Sequence, residues 1–304
     1  MKIWQYALIV FLGGCCYGVL STFVKLAYSA GFTVTQVTGS QYLLGTLLIW
    51  VVALFSKKKK LTLSKIGKLL LSGIPLGLTG VFYYQSLQTL DASLAIIFLF
   101  QFVWIGTFFE WIVYKKIPSN GKIVSIGILI IGSILAAGVI AEGGVEISWR
   151  GTVWGLLSAL TYTALIFVSG SVEKDTPPVQ KSALLSTGGL ITVFLFFTPT
   201  DLIHLPVLMG VAPYGLFLGL FGVALPPLLF SIGMKHIGPG LGTILTASEL
   251  PVAVILSSLV LAEDVSLSQW LGVVLILGGI MTGNVKMPKT KVESISLESK
   301  NIGI

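Results

Sequence analysis

Leu76-Gly77-Leu78-Thr79-Gly80-Val81 returns later in the chain as Leu218-Gly219-Leu220-Phe221-Gly222-Val223, and this pair of blocks decides how the sequence folds. Self-similarity at a long, fixed separation marks two related units. A second correspondence joins Cys15-Cys16-Tyr17-Gly18-Val19-Leu20 to Leu160-Thr161-Tyr162-Thr163-Ala164-Leu165. After each Gly-rich block comes an apolar stretch with a polar residue in its middle, Gln101 in the first half and Glu249 in the second. A short polar turn and another Gly-rich apolar stretch follow in both halves. Each half thus holds five apolar stretches. Five is odd, so the second half runs in the opposite direction to the first. The turns report the same inversion: the one after the fourth stretch carries Lys115 and Lys116, the one after the ninth Glu263 and Asp264.

The surroundings these stretches cross are lipid. The ten stretches cover residues 5–26, 34–55, 69–90, 92–113, 123–140, 152–172, 183–199, 211–232, 241–261 and 267–285. Each is long enough, or nearly so, to cross a hydrocarbon layer of about 30 Å as a helix. Backbone left irregular against hydrocarbon would strand its polar groups, so the spans are helices. A barrel would instead show alternating polarity, which stretches such as 98–113 lack. Composition agrees, with 55% hydrophobic and 10% charged residues in 304, against about 25% charged in an ordinary soluble domain. The fold class expected is therefore an all-α integral membrane protein, ten transmembrane helices as two inverted five-helix repeats. The division expected is residues 1–140, residues 141–286 and a disordered cytoplasmic tail at 287–304.

Charge sets the orientation, because Lys and Arg near span ends stay in the cytoplasm. With the amino terminus inside, all of the 19 basic residues except Lys25 and Arg150 fall on the cytoplasmic side. Both termini are then cytoplasmic in a multi-pass protein of the cell membrane. The formal charge of +7 follows from this bias. Lys57, Lys58, Lys59 and Lys60 follow a span and have no interleaved aromatics, which fits an anchor beside anionic headgroups and not a nucleic-acid partner. The apolar run through Cys15 reaches Ala27, longer than the 7 to 15 residues of a signal core. Cys15 and Cys16 are adjacent inside a span and read as packing residues.

An enzyme finds little to work with. His204 and His236 fall on opposite sides, the cysteines sit together, and neither a metal-ligand cluster nor a phosphate-cradling loop before a Lys occurs, so no metal or cofactor is implied. Inverted repeats are a recurrent architecture of secondary transporters, with the substrate near midplane where the halves meet.

The chain resembles the drug/metabolite transporter superfamily, and within it the EamA-type ten-span carriers. Tyr17-Gly18, Ser21-Thr22-Phe23-Val24 and Lys25 look like that family's aromatic-Gly, small-polar, Lys pattern. Glu249-Leu250-Pro251-Val252, Leu261-Ala262-Glu263 and Gln269-Trp270-Leu271-Gly272 resemble its Glu-Pro-Val, Gly-Glu and Gln-aromatic-x-Gly signatures. Gln101-Phe102-Val103 and Tyr114-Lys115-Lys116 stand where the first half often has Pro-Val and Gly-Glu. The resemblance implies a carrier working by alternating access, without cofactor, on a small-molecule substrate in a lipid bilayer, an exporter of amino acids or related metabolites first. An exporter of hydrophobic cationic drugs is the second reading, and a non-transporting scaffold or sensor the reading from another class. Nothing in the sequence specifies an oligomeric state.

Within the spans, a carboxylate at a helix centre costs roughly 2.5 to 3.5 kcal/mol to insert, so Glu249 is expected to face a polar cavity or a partner. Pro251 removes a backbone donor and disturbs the Ala247 carbonyl, placing a kink beside the carboxyl that suits a substrate amine or a proton. The alternative is a helix-to-helix hydrogen bond from a permanently protonated Glu249. Lys25 reads either as snorkelling or as a partner for a substrate carboxylate, and Glu110 as reaching the headgroups. Tyr17, Gln41, Tyr83, Tyr84, Gln85, Gln101, Trp104 and Tyr162 are candidates to line a cavity, offering hydrogen bonds and aromatic walls to a small organic solute. Pro226 and Pro227 invite a bend in the eighth span. Among the 35 glycines, Gly127, Gly132, Gly272, Gly278 and Gly279 are expected at tight helix contacts.

Overall fold

The computed structural model describes residues 2–90, 92–115, 117–136, 148–260 and 266–284, which form fifteen α-helices joined into ten rods. The first rod is α1 (Ile3–Gly18) and α2 (Leu20–Ser29), and the second α3 (Val34–Phe55). The third is α4 (Leu63–Leu71) and α5 (Ile74–Ser86), the fourth α6 (Ala92–Phe100) and α7 (Phe102–Tyr114), and the fifth α8 (Asn120–Ala136). The second half repeats the order with α9 (Trp149–Ser171), α10 (Pro178–Phe196), then α11 (Leu205–Gly219) running through a π-helical turn at Leu220–Ala224 into α12 (Leu225–Ile237). The ninth rod is α13 (Pro239–Thr246) and α14 (Glu249–Val260), the tenth α15 (Leu267–Asn284). Among the described residues seven rods are long and apolar enough to cross a membrane, and three apolar helices are shorter.

Exposure is arranged for lipid. Phe55, Ile131, Leu195, Met209 and Val274 stand more than half exposed, while Thr38, Ser40, Ser125, Ser158 and Thr246 are fully buried. In water that distribution would be unstable; in hydrocarbon it puts the polar groups where neighbouring helices supply partners. Ser125 Oγ donates to Gly279 O at 2.6 Å and Thr46 Oγ1 to Ser186 O at 3.2 Å, each tying two rods together.

The rods pair as two copies of one motif. The fifth rod packs along the tenth and the second along the seventh. The second also lies on α11 as the seventh lies on α5, and α5 lies on α9 as α12 lies on α1. Exchanging each rod for the one five places on maps this set of pairings onto itself, the signature of a pseudo-two-fold relation. Glycine backbones make the two equivalent close approaches. A Cβ on Gly45 would lie 2.6 Å from Gly219 O, and one on Gly77 2.6 Å from Gly189 O.

Several expectations need correction. Gly132, Gly272 and Gly279 do sit in the contact between α8 and α15, but a Cβ on Gly127 or Gly278 would meet nothing within 4 Å. A helix apolar all round does not reveal from sequence which face packs. Glu110 does not reach outward; it pairs with Lys122 against the bare backbone of Gly240, both side chains mostly buried. The seventh rod starts at Pro178, so Lys181 lies inside it at 2% exposure, where Nζ donates to Ser169 O at 2.9 Å and Val172 O at 2.6 Å. The lysine thus satisfies the open carbonyls at the end of α9.

The connections gather by charge. At one end Lys59 N–H donates to Gln180 Oε1 at 3.0 Å, Lys65 pairs with Glu173 at 3.4 Å, and Tyr6 stacks on His236 with centroids 3.7 Å apart. At the other Gln36 Nε2 donates to Asp201 Oδ2 at 3.3 Å and Phe32 meets Tyr214. The boundary at residues 140 and 141, the tail at 287–304, Lys116, Glu263 and Asp264 lie outside the described residues.

Candidate functional site

The site is built around a broken helix. α13 ends at Thr246 and α14 restarts at Glu249, with Ala247 O accepting from Leu250 N–H at 3.3 Å in a tightened turn. Pro251 sits in the first turn of α14, where its missing N–H leaves no helical bond unmade. The break is pinned from α1: Ser248 Oγ donates to Phe11 O at 2.8 Å. Gly14 and Gly18 let α1 lie on it, since a Cβ at either would overlap Ser248 or the Glu249 carbonyl. The first rod is interrupted at Val19 and the fourth at Gln101, each by one residue that keeps helical dihedrals.

Between the halves lies a cleft lined by Glu249, Tyr17 and Tyr162 together with Gln41, Tyr84 and Tyr42. Leu76, Ile96, Leu99 and Leu165 supply its apolar wall. Its interior admits the centre of a water-sized molecule over about 60 Å³, room for several waters or one small solute. Part of the polar wall is held rigid. Tyr84 Oη donates to Gln41 Oε1 at 2.7 Å, Tyr42 Oη to Leu76 O at 2.6 Å, and Thr79 Oγ1 to Pro75 O at 2.7 Å.

The rest is left open. Tyr17 Oη, Tyr162 Oη and Glu249 Oε2 are buried and have no partner in hydrogen-bond geometry. The two tyrosines meet edge to face, ring centroids 5.4 Å apart at 88°, and the Tyr162 hydroxyl also neighbours Thr246 and the carboxyl without aligning on them. Buried polar atoms are nearly always paired, so three orphans facing one cleft call for an account. No charged side chain other than Glu249 lines the cleft among the described residues.

The structure thus brings Tyr17, Gln41, Tyr83, Tyr84, Tyr162 and Glu249 together and adds Tyr42, Ser21 and Thr79, while Gln85 and Trp104 do not line the cleft. Thr79 lies in the repeated block and Ser21 in the Ser21-Thr22-Phe23-Val24 stretch, whereas Tyr42 carries no signal in the sequence. Two more candidates lie elsewhere. Gln101 accepts from Trp104 Nε1 at 2.7 Å, its carboxamide engaged on its own helix, and Lys25 is exposed on α2. Pro226 and Pro227 begin α12 just after the π-helical turn. Pro227 leaves Val223 O without its helical donor, and Ser186 Oγ donates to that oxygen at 2.8 Å.

The sequence matches the EamA-like transporter family twice, over residues 4–138 and 149–283. It is 24% identical over 184 residues to the "Uncharacterized transporter YwfM" of Bacillus subtilis (strain 168), an alignment spanning 60% of this chain and 60% of that relative's length. A solved crystal structure superposes with a TM-score of 0.71 at 16% identity, covering 91% of this chain and 99% of the other, and shares its fold.

Proposed function

The chain belongs to the EamA-like transporter family, and on that premise we propose that it is a secondary transporter, moving a small organic metabolite across the cell membrane by alternating access. The observation that carries this reading is the cleft between the two halves, where Glu249 Oε2, Tyr17 Oη and Tyr162 Oη lie buried without partners. Buried polar groups without protein partners that line a cleft between the halves suit a ligand or a proton that comes and goes. The basic end of the bundle is the cytoplasmic one, with both termini there, and export is the direction of use.

Asymmetry between repeat-mates supplies the motion. The first rod is interrupted at Val19, while its counterpart α9 is continuous from Trp149 to Ser171. Two halves of one architecture that differ in conformation can exchange those conformations, and the exchange turns the cleft toward the opposite face. The change draws on elements with two arrangements available, the breaks at Val19, Gln101 and Ala247–Ser248 and the π-helical turn. Glu249 couples the cycle by taking a proton in one arrangement and releasing it in the other. The mostly apolar wall of the cleft, with Glu249 its one carboxyl among the described residues, suits a small solute with a single polar head.

Counterflow in proteoliposomes holding only this protein tests the reading. With amino acids, simple amines and a lipophilic cation dye offered as labelled solutes, a saturable exchange of one small metabolite that disappears in Glu249→Gln is expected. Dye exchange alone supports a drug exporter, and no exchange of any solute contradicts the carrier.

A further inference from the structure

Resting on the carrier reading, we infer that the solute held in the cleft is a primary monoamine with a compact apolar tail and no carboxylate, rather than a zwitterionic amino acid. A primary ammonium has three N–H donors and no acceptor. The cleft offers three buried oxygens without hydrogen-bond partners: Glu249 Oε2, Tyr17 Oη and Tyr162 Oη. One of them belongs to a carboxyl group, which supplies the counter-charge an ammonium needs on leaving water. The Tyr17 and Tyr162 rings, set edge to face 5.4 Å apart, add aromatic surface that attracts a cation.

The remaining wall excludes a second charged group. Gln41 Oε1 is occupied by Tyr84 Oη, and its Nε2 side lies against Gly222, so close that a Cβ there would stand 2.5 Å from the amide nitrogen. Beyond these groups the wall turns apolar at Leu76, Ile96, Leu99 and Leu165. No Lys, Arg or His lines the cleft among the described residues. The carboxylate of an amino acid would therefore be buried without a cation and in the same small space as Glu249, and an unpaired buried charge is how a site rejects the wrong ligand. A short branched alkyl chain finds the surface it needs.

Two probes that differ only by that carboxylate decide the matter: 3-methylbutylamine and leucine, with 3-methylbutan-1-ol as the uncharged control. Binding of labelled 3-methylbutylamine to the purified, full-length protein is measured with the other two as competitors. The amine binds, leucine and the alcohol compete at least about thirtyfold more weakly, Glu249→Gln loses at least about thirtyfold in amine affinity, and Glu249→Asp restores part of it. Failure of the amine to bind, binding undiminished in Glu249→Gln, or leucine competing as well as the amine would each overturn the inference. Because counterflow of any solute tests the carrier separately, leucine that both binds and exchanges would overturn the amine assignment and leave the carrier standing.

Discussion

Tyr17 and Tyr162 occupy matching places in the two repeats and meet edge to face across the cleft, ring centroids 5.4 Å apart and planes at 88°. Residues related by the repeat come into contact only where the pseudo-two-fold axis passes, so this pair marks the middle of the molecule. Glu249 shares the cleft with both. The centre of the fold and the centre of the candidate site coincide.

Neither hydroxyl of this pair makes an aligned hydrogen bond in the protein, although that of Tyr162 lies beside Thr246 and the Glu249 carboxyl. Tyr17→Phe and Tyr162→Phe are therefore expected to leave thermal stability in detergent within about 0.5 kcal/mol of wild type while reducing exchange by about tenfold or more. Tyr42→Phe is the opposite case. It loses the bond to Leu76 O at 2.6 Å and is expected to destabilise by about 1 kcal/mol. Melting curves and counterflow measured on the same preparations separate the two behaviours.

Gly45 and Gly77 make equivalent close approaches to Gly219 and Gly189. Gly45→Val and Gly77→Val are expected to destabilise comparably, by about 1 to 3 kcal/mol or more, because each forces two rods apart. Gly127→Ala and Gly278→Ala meet open space and are expected to be neutral or to raise the melting temperature slightly, since Ala is about 1 kcal/mol better than Gly in a helix. A large loss of stability in either of the second pair would contradict the packing described for α8 and α15.

In the eighth rod, Ser186 Oγ satisfies the Val223 carbonyl that Pro227 leaves open. Ser186→Ala is expected to cost about 1 to 3 kcal/mol by stranding a buried acceptor. Pro226→Ala combined with Pro227→Ala returns backbone donors and regularises the helix. The expected result is equal or greater stability with slower exchange, as the proposal that the π-helical turn moves in the cycle requires. Unchanged exchange in the double variant would remove that turn from the mechanism.

Lys181 caps the end of α9 through Ser169 O and Val172 O. Replacing it with Met is expected to lower stability by about 1.5 to 3 kcal/mol, the range for hydrogen bonds to a charged donor. Replacing the exposed Lys57 or Lys58 is expected to shift stability by no more than about 0.5 kcal/mol. Thermal unfolding of the three variants, followed in one detergent, gives the comparison.

The repeat, the even number of rods and the gathering of basic loops at one end were all legible in the sequence, because period, hydropathy and Lys placement act along the chain. The break beside Glu249 was legible too, in a carboxyl two residues before a proline. Angular position was not. Gln101 and Glu249 are each the polar residue in the middle of the fourth stretch of their half, yet the first accepts a hydrogen bond from Trp104 and the second faces the cleft. Gly127 and Gly132 look alike in a helix apolar on every face, and only the fold turns one outward and the other onto α15. Lys181 and Glu110 read as interfacial charges because hydropathy treats every charge as solvated, whereas one caps a helix and the other is paired with Lys122. Tyr42 is not legible in the sequence, because an isolated aromatic in a span carries no sign of which oxygen its hydroxyl reaches.

The central claim, that Glu249 is the group through which the two halves couple solute movement to the proton gradient, is tested most directly by uphill accumulation. Proteoliposomes containing wild type, Glu249→Gln or Glu249→Asp are loaded, given an imposed pH gradient, and followed for concentration of the exchanged solute. Wild type should accumulate it against its gradient, Glu249→Asp should do so more weakly, and Glu249→Gln should not concentrate it at all. Accumulation by Glu249→Gln equal to wild type would contradict the account.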